Sequence, residues 1–281
     1  MHDHGSVVPL DEHLSWRGRT IAHGRAGTGP PVVFCHGTPW SSVVWSRYAD
    51  ALADAFTVHA WDMPGYGRSS NDPQHPVDLA TQAEAFVAML DHWGLDRPHV
   101  VAHDVGGAVS VRAALDGGAS YASLLLVDVV AIPPSGSPFF RFVANNPDTL
   151  TALPPYIHEA VLRAYVQGAS HRGLPEHDLA ALVEPWITDG GQPAFYRQIA
   201  QYDEDVLVRI EPRLEHLAVP VRVVWGAEDR WIPPRTGRRL AELIPGADFV
   251  EVPGAGHLIQ YDAPVALMSL VRGWLARQAD R

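Results

Sequence analysis

Ala102-His103-Asp104-Val105-Gly106-Gly107 is the stretch that decides how this chain is read. Before it, residues 99–102 are a short apolar, β-branched run; after it, 106–115 reads as a helix. Small residues stand two before and two after Asp104. A tight strand–turn–helix needs small neighbours there, because the turn brings backbones close together, and it pushes the central side chain into a site. Serine is the usual occupant of such an elbow; here it is Asp104. The plainer alternative is an aspartate that caps the helix behind it.

Outward from this point, apolar runs at 32–35, 57–61, 124–129, 219–225 and 248–252 alternate with helical stretches at 79–93, 235–243 and 263–277. Within 79–93, Ala83, Phe86, Val87, Leu90 and Trp93 share one helical face. The alternation predicts an α/β protein, a mostly parallel sheet with flanking crossover helices. The central runs are apolar on both faces, as strands covered on both sides must be. Between 132 and 212 the alternation stops. Pro133-Pro134 opens this region, Pro154-Pro155 interrupts it, and 156–167 and 176–187 are candidate helices. An insertion of that length between two strands predicts a lid or cap rather than a loop. The expected organisation is a core of 1–131 and 213–281, a helical cap of 132–212, and a site between them.

The 281 residues are enough to bury a large core without staples. Apolar residues make up 47% and charged residues 19%, which excludes a disordered chain. The net charge of −11 argues against nucleic acid or an anionic membrane as partner. Cys35 is the only cysteine, so no intrachain disulfide can form. The start, Met1-His2-Asp3-His4-Gly5-Ser6, lacks a basic stretch followed by an apolar run, and no apolar run is long enough to span a bilayer. A cytoplasmic protein is expected. His2 and His4 offer an adventitious metal at most a pair of ligands, and no paired-histidine helix motif or dinucleotide fingerprint occurs, so neither metal nor cofactor is expected.

Other motifs follow the remaining strands. His36-Gly37-Thr38-Pro39-Trp40 comes directly after 32–35, where the N–H groups of Thr38 and Val105 would together form an oxyanion hole. Asp62-Met63-Pro64-Gly65-Tyr66-Gly67-Arg68-Ser69 reads as a structural turn. Trp225-Gly226-Ala227-Glu228-Asp229-Arg230 follows one later strand, and Gly254-Ala255-Gly256-His257 follows the next. The order Asp104, Asp229, His257 is that of nucleophile, acid and base. His257 would take a proton from water, and Asp229 would hold its tautomer. Asp128, at the end of 124–129, is the alternative acid.

With these motifs the chain resembles the α/β-hydrolase superfamily, and within it the branch with an aspartate nucleophile: epoxide hydrolases, haloalkane dehalogenases and fluoroacetate dehalogenases. The resemblance implies a cofactor-free hydrolase. An ionised carboxylate displaces a leaving group from saturated carbon, and His257-activated water then cleaves the resulting ester. It also implies how the leaving group would be held. Haloalkane dehalogenases usually carry Trp directly after the nucleophile, where this chain has Val105, and often Asn where it has Thr38; Trp40 or Trp186 would have to substitute. Fluoroacetate dehalogenases carry two arginines at the places of Val105 and Ala108, so a haloacid is the less favoured substrate. Epoxide hydrolases supply cap tyrosines. Tyr196 has the family's late position, Tyr156 and Tyr165 are candidates for the first, and Phe139-Phe140 lies in the matching region. The expected substrate is a small, largely apolar epoxide, with His36, Trp40, Tyr156 and Trp186 around it. A haloalkane is the alternative. A lyase or cyclisation enzyme, or a ligand-binding protein with an idle triad, are further alternatives on the same fold.

Overall fold

The apolar runs become strands of one eight-stranded sheet in the computed structural model, which describes residues 8–188 and 190–279. The stretch holding His2 and His4 lies outside the described residues. An antiparallel hairpin, β1 (Glu12–Trp16) and β2 (Arg19–Ala26), forms one edge. The sequence reading lacks this hairpin, because β1 is a mostly exposed edge strand whose Glu12, His13 and Ser15 break any apolar run. Six parallel strands follow: β3 (Pro31–Cys35), β4 (Thr57–Trp61), β5 (His99–His103), β6 (Ser123–Val127), β7 (Val221–Gly226) and β8 (Asp248–Val252). The sheet order is β1-β2-β4-β3-β5-β6-β7-β8. Strands β5 and β6 are buried at every position, as the doubly apolar runs require. The run at 124–129 leaves the sheet after Val127, because Asp128 takes φ 44° and turns the chain.

The helices of the first half are α1 (Ser46–Leu52), α2 (Leu79–Trp93) and α3 (Val105–Asp116). Helix α2 has the ends its sequence predicts. The Asp78 carboxylate accepts the Thr81 N–H at 3.0 Å, and Gly94 closes the helix at φ 67°. Between β6 and β7 lie α4 (Pro138–Asn145), α5 (Pro147–Thr151), α6 (Pro155–Gln167), α7 (Glu176–Ile187), α8 (Gly191–Ala200) and α9 (Asp205–Ile210). Prolines begin α4, α5 and α6, where the missing N–H costs nothing. The chain ends with α10 (Pro234–Leu243), α11 (Ile259–Asp262) and α12 (Pro264–Ala279). Among the described residues no helix is long and apolar enough to cross a membrane, and no cluster of side chains suits a metal ion.

Flanking helices close the core. Phe34 stacks on Trp45 at 4.9 Å between ring centres, and Trp61 on Phe86 at 5.5 Å. Arg272 of α12 reaches the Ala51 carbonyl at the end of α1. Because the six strands are parallel, their carboxyl ends share one edge of the sheet, and loops leaving that edge converge. Strand β3 leads to Thr38, β5 to Asp104, β6 to Asp128, β7 to Asp229 and β8 to His257.

Candidate active site

Asp104 sits between β5 and α3 at φ 51°, ψ −127°, a backbone conformation that residues with a side chain rarely adopt. Its carboxylate makes no capping bond to α3, which removes the helix-cap alternative. Gly37 and Gly106 make the strained turn possible. A Cβ on Gly106 would come within 2.4 Å of the His36 carbonyl oxygen, and one on Gly37 within 2.3 Å of Asp104 Oδ1. The backbones of the two motifs therefore touch, and the Thr38 N–H donates to Asp104 Oδ1 at 2.6 Å.

Imidazole and carboxylates meet on the other side. His257 Nε2 lies 3.2 Å from Asp104 Oδ2, and its Nδ1 lies 2.9 Å from Asp229 Oδ2. The second oxygen of Asp229 accepts the N–H groups of Trp231 at 2.7 Å and Ile232 at 2.9 Å, which orients the carboxylate. Asp128 does not bond to His257; its Oδ1 accepts the Gly226 N–H at 2.8 Å and its Oδ2 has no partner. Burial, and then the neighbouring charge of Asp229, push the Asp128 carboxyl well above the ordinary range, so it is held neutral beside the pair. His103 Nε2–H donates to the His257 carbonyl at 2.9 Å, and burial presses its own basicity down to about 3, so it is a neutral pin for that loop.

Charge is divided unequally in this group. Burial by itself would raise Asp104, but the hydrogen bond and charge of His257 and the Val105 N–H outweigh it, and the carboxyl sits below the ordinary range. Burial by itself would lower His257, but the Asp229 charge and the hydrogen bonds to Asp104 and Asp229 raise it well above an ordinary histidine. Both directions favour a charge pair, with the negative charge on Asp104 and the proton on His257.

The cavity over Asp104 is lined by Thr38, Phe140, Tyr165, Tyr202 and Trp231 among others. It measures about 20 Å³ to the centre of a water-sized sphere, so it suits a small guest. Trp231 is sandwiched in an aromatic stack, 4.2 Å from Tyr165 and 5.0 Å from His257 between ring centres. Burial raises both Tyr165 and Tyr202 above an ordinary phenol, so both keep their protons.

Several residues expected around the substrate lie elsewhere. The Tyr196 hydroxyl bonds to His158 Nδ1 at 2.9 Å, behind the cavity wall, and its proton is spent there. Tyr156 is 72% exposed on the first turn of α6. The Trp186 indole N–H donates to the Pro39 carbonyl at 2.7 Å, which ties α7 to the loop of Thr38. His36 accepts the Met63 N–H at 2.9 Å and spends its other nitrogen on Gly37, so it braces two loops. Trp40 is buried and stacks on Trp231 at 5.8 Å, behind that ring rather than on the cavity. In their place stand Tyr165, one of the two first-tyrosine candidates, and Tyr202 and Trp231, which no local motif marks. Trp231 lies two residues past Asp229, and that adjacency was the only available signal.

The fold and this site define a class. The sequence profile of the α/β hydrolase fold matches residues 30–264, and the chain belongs to that family and is a hydrolase. It is 28% identical over 262 residues to "Haloalkane dehalogenase 2" of Mycobacterium bovis, covering 89% of each chain. A crystal structure of an α/β hydrolase fold protein from Burkholderia ambifaria superposes with a TM-score of 0.91 at 44% identity, over 94% of this chain and 98% of that one. An epoxide hydrolase structure superposes with a TM-score of 0.81 at 24% identity, over 95% and 98%.

Proposed function

We propose that the protein is a cofactor-free epoxide hydrolase in which Asp104 is the nucleophile and α4 to α9, within 132–212, cap the core formed by 1–131 and 213–281. The observation that carries this reading is the Asp104 carboxylate itself. It is ionised on a strained elbow, with the Thr38 N–H on one oxygen and His257 on the other. A carboxylate needs no base in order to attack saturated carbon. Its oxygen displaces an epoxide C–O bond and forms an alkyl ester, and the ring oxygen leaves as a tethered alkoxide. Tyr165 lines the cavity with its proton retained and donates to that oxygen. Tyr202 also lines it, but its hydroxyl already donates to Ser135, which passes its own hydrogen to Glu204. In the wild type the proton held on His257 passes to the alkoxide by way of Tyr165 and leaves a neutral imidazole. Where His257 is replaced, the alkoxide takes its proton from water. Once Asp104 is esterified it is neutral, His257 loses one of its two anionic partners, and its affinity for a proton falls. The neutral imidazole then takes a proton from water. Hydroxide adds to the ester carbon of Asp104, the Thr38 and Val105 N–H groups hold the oxyanion, and collapse releases a diol.

A haloalkane is the second reading, favoured by the similarity to the Mycobacterium haloalkane dehalogenase and by Trp231 on the cavity. Against it, the residue directly after Asp104 in the chain is Val105 rather than tryptophan. No arginine or lysine lines the cavity among the described residues, which disfavours a haloacid.

His257 is indispensable only as the base of the second step, so the two steps separate. His257→Gln leaves ester formation working and nearly stops its hydrolysis. Intact-protein mass then rises by the full mass of an epoxide, or by the alkyl group of a haloalkane, and digestion places the label on the Asp104 peptide. An unlabelled His257→Gln protein, with any substrate that wild type turns over, refutes the covalent scheme and favours a lyase or cyclisation enzyme; a wild type that turns over no epoxide or haloalkane favours a ligand-binding role.

A further inference from the structure

Thr38, whose N–H is proposed above to hold the oxyanion, sits in a tight turn after β3. The Trp40 N–H closes that turn on the Gly37 carbonyl at 3.0 Å. The Pro39 carbonyl of the same turn is met from α7, where the buried Trp186 indole N–H donates to it at 2.7 Å. Trp186 is itself held: its carbonyl accepts the His158 Nε2–H at 3.0 Å, and His158 Nδ1 accepts the Tyr196 hydroxyl at 2.9 Å. A second line reaches Thr38 from the same ring. Trp186 meets Tyr66 edge to face at 5.7 Å between ring centres, and the Tyr66 hydroxyl lies 2.5 Å from Thr38 Oγ1. The Gln198 amide on α8 contacts those two hydroxyls at 2.8 Å and 2.9 Å. Helices α7 and α8 therefore hold the turn whose Thr38 N–H rests on Asp104 Oδ1 at 2.6 Å. Trp186 is not on the wall of the cavity over Asp104, so it acts through this turn and not on a guest.

We infer that Trp186 is a positioning residue for ester hydrolysis: its indole N–H, through the Pro39 carbonyl, fixes the aim of the Thr38 N–H. The inference rests on the covalent reading above and assigns part of the oxyanion hole to α7. Peptide planarity and the Pro39 ring leave few torsions free between the Thr38 N–H and the Pro39 carbonyl, so holding one holds the other. Without the indole N–H, the Pro39 carbonyl is a buried acceptor in need of a partner, and the turn re-aims to find one. The two steps feel this differently. In the resting protein the Thr38 N–H steadies charge already present on Asp104, so a misaimed donor leaves the carboxylate no weaker as a nucleophile. In the second step Asp104 Oδ1 is the ester carbonyl oxygen, and negative charge builds on it as hydroxide adds. A misaimed donor is then missing where it is needed.

Trp186→Phe keeps an aromatic ring against Tyr66 and removes the N–H. Ester formation and ester hydrolysis are read separately, by rapid mixing and intact-protein mass, with an epoxide that wild type turns over. Hydrolysis should slow at least tenfold, a fraction of the roughly 10²–10³-fold that loss of an oxyanion donor costs. Formation should stay within threefold, so the ester accumulates at steady state and KM falls together with kcat. Val183→Ala, a buried change on the same helix, controls for loosened packing and should not separate the two steps. Equal slowing of both steps in Trp186→Phe, hydrolysis within threefold of wild type, or the same separation in Val183→Ala overturns the inference. If no ester forms even in His257→Gln, the covalent reading falls on its own, and amide hydrogen exchange decides whether Trp186 aims the turn. Amides of 37–42 should then exchange at least tenfold faster in Trp186→Phe, with those of 191–200 unchanged. Unchanged exchange at 37–42 overturns the positioning role as well.

Discussion

Tyr165 and Tyr196 are both buried phenols of the segment between β6 and β7, yet their hydroxyls have different partners. Tyr165 faces the cavity of Asp104, while Tyr196 spends its proton on His158, whose Nε2–H in turn donates to the Trp186 carbonyl at 3.0 Å. Phenylalanine keeps each ring and removes only the hydroxyl. Tyr165→Phe should slow epoxide ester formation, read by rapid mixing in a His257→Gln background, by at least tenfold, about 1.4 kcal/mol. Tyr196→Phe should leave that rate within twofold and instead lower the melting temperature, since His158 Nδ1 loses its partner at a cost of about 1–3 kcal/mol. The reverse pattern would return the acid role to Tyr196. The position of Tyr196 in the chain was legible, but the direction of its hydroxyl depends on how α6, α7 and α8 pack around it.

Short elements carry His257, and one carboxylate holds them. Asp262, the last residue of α11, is buried and accepts four bonds. Its Oδ1 takes the Ser170 hydroxyl at 2.5 Å and the Arg172 N–H at 3.0 Å; its Oδ2 takes the His171 N–H at 2.8 Å and the Gly256 N–H at 2.7 Å. The loop after α6 is thereby fastened to the loop of His257. Asp262→Ala frees both loops and should cost about 2–4 kcal/mol of stability by chemical denaturation. Because His257 acts as a base only in the second step, ester hydrolysis should slow at least fivefold more than ester formation. Equal slowing of both steps would make Asp262 a purely structural anchor. The sequence reading took Gly254-Ala255-Gly256-His257 correctly as a loop after a strand, but nothing local marks Asp262, whose partners are set by where the distant 170–172 backbone comes to rest.

For the whole molecule, the buried charges give stability a sign with pH. Burial and the Asp229 charge hold Asp128 well above the ordinary range, so the folded chain keeps a proton that the unfolded chain releases above about pH 4. That contribution is full below the unfolded value and is lost as pH rises through the folded one. His257, raised by its carboxylates against burial, behaves likewise, with its contribution full below about pH 6.5. Asp104 has the opposite sign: its contribution is present above about pH 4 and is lost as pH falls through its lowered folded value. Six buried histidines, His23, His36, His59, His99, His103 and His158, are lowered chiefly by burial. They make stability rise until the unfolded chain's histidines lose their protons at about pH 6.5. Above that only the falling terms remain, and the melting temperature should fall from about pH 7 to about pH 9. Asp128→Asn removes one of the two falling terms and should flatten that decline, measured by calorimetry at matched ionic strength. A decline of equal depth in both proteins would mean that Asp128 is ionised in the fold.

What the sequence determined by itself is what a short window of chain can encode. Strand runs, capped helices such as Leu79–Trp93 and the small residues around Asp104 follow from side-chain periodicity and backbone sterics within a few positions. The parallel sheet, and with it the meeting of Asp104, Asp229 and His257 at one edge, follows from that alternation, because parallel strands must all end on the same side. Tertiary structure alone decided which tyrosines face the cavity and that Trp186 and His36 brace loops. Those outcomes depend on the rotation and tilt of helices packed against one another, set by contacts between residues far apart in the chain, and no local periodicity records them.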